Sequence, residues 1–115
     1  MSYDIRVTVK VEGCDKYAVV GTPEYDSPTY NLRDMFVACM DWDYHQGEEY
    51  PAEFALEKLQ KGLRELTTRR EHYSRYNSPN GWGTIDGAIK SIDSAIICIH
   101  ECAEYYPMSC LYFEW

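Results

Sequence analysis

The sequence lacks a long apolar run, an internal repeat and any excess of positive charge. No apolar run approaches the roughly 20 residues that span a bilayer, so no membrane segment is expected. Nineteen acids stand against eleven bases, and the net charge of −8 argues against general binding to nucleic-acid phosphates. No linker or low-complexity tract divides the 115 residues. The sequence predicts one domain, residues 1–115, that binds neither membranes nor nucleic acids directly.

A paired cysteine framework is also missing. The five cysteines are odd in number and irregular in spacing. The sequence begins on a strand pattern and not on a secretory leader. These features predict free thiols, no disulfide and a cytoplasmic protein.

Two regions alternate with the period of a half-buried strand. In residues 5–11 the apolar side chains Ile5, Val7, Val9 and Val11 share one face. A turn then leads to a hairpin partner at residues 16–20. Residues 110–115 alternate again and predict a last strand, which would pair most simply beside the first.

Three stretches between these strands have helical spacing. The first begins at Asn31 as its cap and ends near Trp42, and the second begins with Pro51 as its first residue. The third follows Thr84 as its cap and ends before Pro107. This order predicts an α+β fold: a small antiparallel sheet, made of the N-terminal hairpin and the C-terminal strand, carries three helices on one face.

Four short motifs carry a resemblance that spans nearly the whole chain. They are Met1-Ser2-Tyr3-Asp4-Ile5, Thr29-Tyr30-Asn31, Asn80-Gly81-Trp82-Gly83-Thr84 and Tyr106-Pro107. In these motifs the chain resembles a set of small proteins from bacteriophages, prophages and gut bacteria. The resemblance implies a phage protein that works in the host cytoplasm. Small acidic phage proteins are often inhibitors of host defence, including anti-CRISPR proteins and proteins that sequester a defence signal.

The loop before the third helix is a candidate site for an anion or a nucleotide. Two glycines that flank a tryptophan at a helix start leave backbone N–H groups exposed. Upstream arginines supply charge, and aromatic rings offer a stacking surface for a base. A tight structural turn is the alternative interpretation, and it is the favoured one because no glycine-rich phosphate fingerprint is present. The candidate residues are Arg69, Arg70, Arg75, Tyr76, Asn80, Gly81, Trp82, Gly83 and Thr84.

The acidic stretch between the first two helices is a candidate protein interface. Its carboxylates match no calcium or zinc loop, even with His45 among them. Acids that mimic phosphates suit a basic groove on a partner, and tyrosines are enriched at interfaces. A solvated loop is the alternative. The candidate interface residues are Asp41, Asp43, Tyr44, Glu48, Glu49 and Tyr50.

No spacing in the sequence predicts catalysis. The three histidines are scattered, and His100 lies on a different helix face from Cys98 and Cys102. We expect no catalytic residue, no cofactor and no metal. The leading hypothesis is stoichiometric binding of a host defence protein. The alternatives are sequestration of a small phosphorylated signal, such as a cyclic nucleotide, at residues 80–84 and, least favoured, a small hydrolase. A second copy of the chain is a further candidate partner.

Overall fold

The structure of the protein is a computed structural model that describes residues 4–25, 30–77 and 83–115. Four strands and four α-helices lie within these ranges, together with two short 3-10 helices at Tyr30–Leu32 and Ser74–Tyr76. The strands are β1 (Asp4–Lys10), β2 (Tyr17–Gly21), β3 (Glu49–Pro51) and β4 (Cys110–Glu114). The helices are α1 (Arg33–Met40), α2 (Ala52–Thr68), α3 (Arg70–Tyr73) and α4 (Ile85–Ala103).

The strands form one antiparallel sheet in the order β2-β1-β4-β3. β4 pairs with β1 along its whole length, so that Leu111 lies opposite Val7 and Phe113 opposite Ile5. The α+β prediction and the position of the last strand beside the first are thereby confirmed.

β3 is a strand where the sequence predicted a loop. It is only three residues long and ends in Pro51, so it has no alternation for a sequence pattern to detect. Pro51 is tolerated because β3 is an edge strand, where a missing backbone N–H breaks no ladder. Pro51 is consequently the residue before α2 and not its first residue.

The helices cover one face of this sheet. α4 packs against β1 and β2, α2 packs against β3, β4 and α4, and α1 packs against α2. Gly62 of α2 permits the last contact, since a Cβ there would lie 2.6 Å from Met40 Cγ of α1. The sheet contributes buried side chains beneath the helices, each worth about 1.5–3 kcal/mol on folding. They are Ile5, Val7, Leu111 and Phe113.

The hairpin of β1 and β2 extends beyond this covered region. β4 begins opposite Thr8, so β1 has only β2 as a neighbour past that point. α4 also ends near this level, with Cys102 packed against Gly21. Val9 is therefore only half-buried and Val11 is 41% exposed, although alternation predicted the helix-covered face for both. We call residues 9–19 the projecting hairpin. The molecule is elongated, with a length of 47 Å along its longest axis and 27 Å along the next.

One predicted helix start agrees with the structure and another does not. Thr84 caps α4 as predicted, because its side chain accepts a hydrogen bond from the Gly87 N–H. Asn31 is not the cap of α1, since a 3-10 turn that includes it precedes the helix and Leu32 takes the cap position. The helix-breaking segment at residues 78–82 lies outside the described residues.

Candidate functional site

The segment before β3 alternates between buried and exposed side chains. Trp42 and Tyr44 are buried, whereas Asp41 and Asp43 are exposed. The Tyr44 ring stacks on Phe113 with centroids 4.2 Å apart. Tyr44 is therefore a core residue, and its assignment to a protein interface is wrong. The sequence could not show this because Phe113 lies far along the chain.

Two aromatic rings rise from this core to the surface. Trp42 contacts both, at centroid distances of 4.8 Å to Tyr50 and 5.5 Å to Phe54. Tyr50 is half-buried and Phe54 is 43% exposed. Phe54 was missed at the sequence level because it lies off the leucine stripe of α2. The signal that could have found it is a large apolar residue within the acidic first turn of that helix.

Acidic groups surround the Tyr50 hydroxyl. The His45 backbone N–H donates to this hydroxyl at 2.8 Å. Burial raises the pKa of Tyr50, and the nearby Glu48 and Asp43 carboxylates raise it further. The hydroxyl therefore remains protonated at neutral pH. Glu48 and Asp43 consequently belong to the same surface as Tyr50.

Ion pairs anchor the two aspartates of this surface. Asp43 lies 3.2 Å from the Arg33 guanidinium and Asp41 lies 3.5 Å from Lys61 Nζ. The Arg33 guanidinium lies over the rings of Tyr44 and Trp115, at 5.2 and 4.9 Å from their centroids. Exposed ion pairs alone contribute about 0–1 kcal/mol to stability. The packing of Arg33 on these two rings is therefore the main contact that it provides to the segment before β3.

Glu49 faces a different direction from its neighbours. It pairs with Tyr112 in the register of β3 and β4, on the sheet face that the helices leave open. The Thr8 hydroxyl donates to the Glu49 carboxylate across β4. Burial raises the pKa of Glu49, and this hydrogen bond opposes the shift. Glu49 is thus separate from the surface around Tyr50, which we call the acidic aromatic patch: Asp41, Asp43, Glu48, Tyr50, Glu53 and Phe54.

The arginines of the candidate nucleotide site are engaged by other side chains, and Arg70 contacts the first turn of α4 just after Thr84. Arg70 lies 2.6 Å from Asp86, and Arg69 lies 3.4 Å from Glu65. The Arg75 guanidinium lies 5.2 Å from the centroid of the Tyr76 ring. Arg69 and Arg70 are about half exposed beside these acids. Their charges are paired on the protein's own surface.

Some of the N–H groups that open α4 already have acceptors. The Ile85 N–H donates to Asn77 Oδ1 at 3.0 Å, and the Gly87 N–H donates to Thr84 Oγ1 at 3.3 Å. Gly83 has a positive φ of 117°, which suits a turn into the helix. Asn80, Gly81 and Trp82 lie outside the described residues. Thr84 therefore serves as a helix cap, and the anion site remains a prediction.

The remaining side chains that could bind a metal or act as nucleophiles are dispersed. Within residues 4–25, 30–77 and 83–115, no three His, Cys, Asp or Glu side chains come together as a metal site. Burial raises the pKa of the Cys39 and Cys98 thiols to about 12, which makes both poor nucleophiles at neutral pH. No helix in the described part of the chain is long and apolar enough to cross a membrane.

Comparisons with protein-family models, with curated protein sequences and with solved structures found no match.

Proposed function

We propose that this chain is a non-enzymatic binding protein that acts by stoichiometric association with another protein. The acidic aromatic patch is the surface that makes the contact. In the phage setting implied by the sequence resemblance, the partner is a host defence protein in the host cytoplasm.

The exposed ring of Phe54 is the observation that carries this proposal. It stands on Trp42 and beside Tyr50, so it is held in place before a partner arrives. Interfaces draw most of their binding energy from a few aromatic anchors surrounded by a polar rim. Here the rim contains four exposed carboxylates and two lysines, with Lys58 Nζ 5.7 Å from the Phe54 ring centroid and Lys61 beside Asp41. The carboxylates are those of Asp41, Asp43, Glu48 and Glu53. A partner with a pocket for the ring and basic groups around it complements this arrangement.

The paired arginines support a protein partner over a nucleotide. A phosphate bound through Arg70 would have to compete with the Asp86 carboxylate, which lies 2.6 Å from the guanidinium. At the patch, Glu48 and Glu53 are exposed, and the Asp41 and Asp43 side chains remain 79% and 73% exposed beside Lys61 and Arg33, so a basic partner can reach these carboxylates. Acidic rims also accelerate association with basic partners, so the on-rate should fall as salt rises.

The test compares three baits in lysate of the bacterium that carries the gene. The first bait is the wild type and the second is the patch variant Glu48→Lys/Phe54→Ala. The third is a matched control, Glu101→Lys/Ile97→Ala, which changes one exposed acid and one exposed apolar residue on α4. We expect the wild type and the control to retain the same protein in a one-to-one ratio. The patch variant should bind the identified partner at least about tenfold more weakly.

The same baits also test the nucleotide alternative. Small molecules released from each bait are identified by mass spectrometry, and linear and cyclic nucleotides are added in melting experiments. A bound nucleotide raises the melting temperature with the logarithm of its concentration. Equal protein capture by all three baits contradicts the patch. A nucleotide that co-purifies and raises the melting temperature replaces the protein-binding proposal with signal sequestration.

A further inference from the structure

β2 is an edge strand with unpaired backbone groups. The Val11 N–H donates to the Lys16 carbonyl, which identifies these two residues as a hydrogen-bonded pair of the hairpin. Such pairs alternate along antiparallel strands, so Ala18 exchanges hydrogen bonds with Val9, whereas Tyr17 and Val19 do not bond to β1. The backbone N–H and C=O groups of Tyr17 and Val19 therefore point away from the sheet. They have no backbone partner among the residues that the structure describes.

The side chains of this edge leave it open for pairing. Proteins commonly protect an edge strand with a charged residue, a proline or a covering segment. The five residues of β2, Tyr-Ala-Val-Val-Gly, contain neither a charge nor a proline. Tyr17 is 42% exposed and Val19 is 58% exposed, both on the open face of the sheet. A bulge bends β2 at Val20, which leaves residues 17–19 as the usable edge.

The charge distribution favours a second copy of the chain at this edge. Residues 4–22 contain three acids and three bases, so the entire excess of eight negative charges lies in the rest of the chain. Two copies that approach through their hairpins bring neutral surfaces together. Because the hairpin projects from the covered region, the two acidic bodies stay apart.

We infer that two copies of this chain pair antiparallel through β2, with a two-fold axis between Ala18 of one copy and Ala18 of the other. In this register Tyr17 of each copy lies opposite Val19 of the partner. The residues whose backbone N–H and C=O groups point outward therefore lie opposite each other, and none of them is charged. Both pairs exchange N–H···O bonds, and each joins an aromatic to a β-branched side chain, a favourable cross-strand combination. The two sheets become one continuous sheet.

The pairing goes beyond the proposed function and leaves the acidic aromatic patch free. β3, which carries Tyr50, is at the opposite edge of the sheet from β2. A dimer through β2 therefore presents one patch at each outer edge. A partner with two binding sites would then be held by two linked contacts.

The first experiment measures mass in solution by light scattering and sedimentation. The chain has a mass of 13.4 kDa, and we expect the wild type to show twice that value. Val19→Lys places a charge on the edge and should give a monomer. Val11→Lys makes the same change at a residue that is 41% exposed but off the edge, and it should remain dimeric. Circular dichroism checks that each variant is folded.

The second experiment tests the register by cross-linking. Ala18 faces its counterpart in a non-hydrogen-bonded pair, where Cα atoms are about 4.5 Å apart and can be joined by a disulfide. We expect Ala18→Cys in a Cys14→Ser background to form a covalent dimer on mild oxidation. The wild type should form none through Cys14, whose counterpart would be roughly 26 Å away along the strands at about 3.3 Å per residue.

Three results overturn the inference. A wild type that stays monomeric at the highest concentration reached excludes the dimer. A dimer that persists in Val19→Lys and does not cross-link at residue 18 places the interface elsewhere. If the wild type is monomeric and only the Val19→Lys variant loses the protein partner, then the edge of β2 pairs with a strand of that partner and not with a second copy. Loss of partner binding in the patch variant leaves all of these measurements unchanged, so the dimer and the proposed function fail separately.

Discussion

Val7 and Val11 lie on the same face of one alternating segment, yet Val7 is fully buried and Val11 is 41% exposed. Around Val7 the sheet has strands on both sides of β1 and a helix layer above it. Around Val11 there is a strand on one side only and no helix above, because β4 begins opposite Thr8 and α4 ends beside Gly21. Alternation thus determines which face a side chain takes. The lengths of elements elsewhere in the chain determine whether that face is covered.

The strongest test of this contrast places an aspartate at successive positions of the segment. Val7→Asp buries an unpaired charge and should unfold the domain, since the cost of several kcal/mol approaches a total stability of about 5–15 kcal/mol. Val9→Asp, at a half-buried position, should destabilise less, and Val11→Asp should change stability by about 0.5 kcal/mol or less. Urea unfolding followed by circular dichroism measures all three. Equal losses at Val7 and Val11 would contradict the contrast.

Gly21 marks the point where helix cover ends, and a methyl group tests that contact. An added Cβ would lie 2.9 Å from Cys98 Sγ and closer still to Cys102 Sγ. Gly21→Ala should therefore overpack the interface of β2 with α4 and lower the free energy of unfolding by about 1–3 kcal/mol. Cys102→Ala in the same chain should restore part of this loss. If the double variant is no more stable than Gly21→Ala, then the steric explanation is incorrect.

A smaller effect distinguishes the core from the hairpin at alkaline pH. Burial raises the Cys39 pKa from 9.0 to about 12, so between these values the unfolded state binds fewer protons than the folded state. The free energy of unfolding should fall as pH rises, by on the order of 1–2 kcal/mol near pH 10.5 from this thiol. Cys39→Ala should lack this component, measured as the difference between unfolding at pH 7 and at the higher pH. A Cys14→Ser control, in the exposed hairpin turn, should retain it. Identical pH dependence in Cys39→Ala would show that other groups cause the loss.

The parts of the fold that alternate or repeat could be predicted from the sequence. β1, β4 and α4 each contain enough periodic residues to identify the element and its buried stripe, and Thr84 has the side chain that a cap needs. β3 could not be predicted, because its three residues are held by β4 and not by a pattern of their own. Asn31 failed as a cap because a 3-10 turn displaced the start of α1 beyond it.

The candidate site was predictable only in outline. The acids of the site appear in the sequence as one run of negative charge. Asp43 and Glu48 lie on one surface and Glu49 on another, because Glu49 belongs to β3 and faces the open side of the sheet. Tyr44, which was predicted to lie at the interface, is buried under Arg33, whereas Phe54, which no sequence pattern singled out, is exposed. Contacts distant in sequence, such as Tyr44 with Phe113, decided both outcomes.

The two central strands of the sheet are also the two most distant in the chain, since Asp4 pairs with Glu114. During synthesis β1 can form its hairpin with β2 at once, but its other side stays open until residue 114 has been translated. The sheet therefore cannot be completed before residue 114 has been translated, and long-range pairing of this kind slows folding. Until that moment the nascent chain displays a hairpin with two open edges, and the translating cell must keep those edges from pairing with other chains.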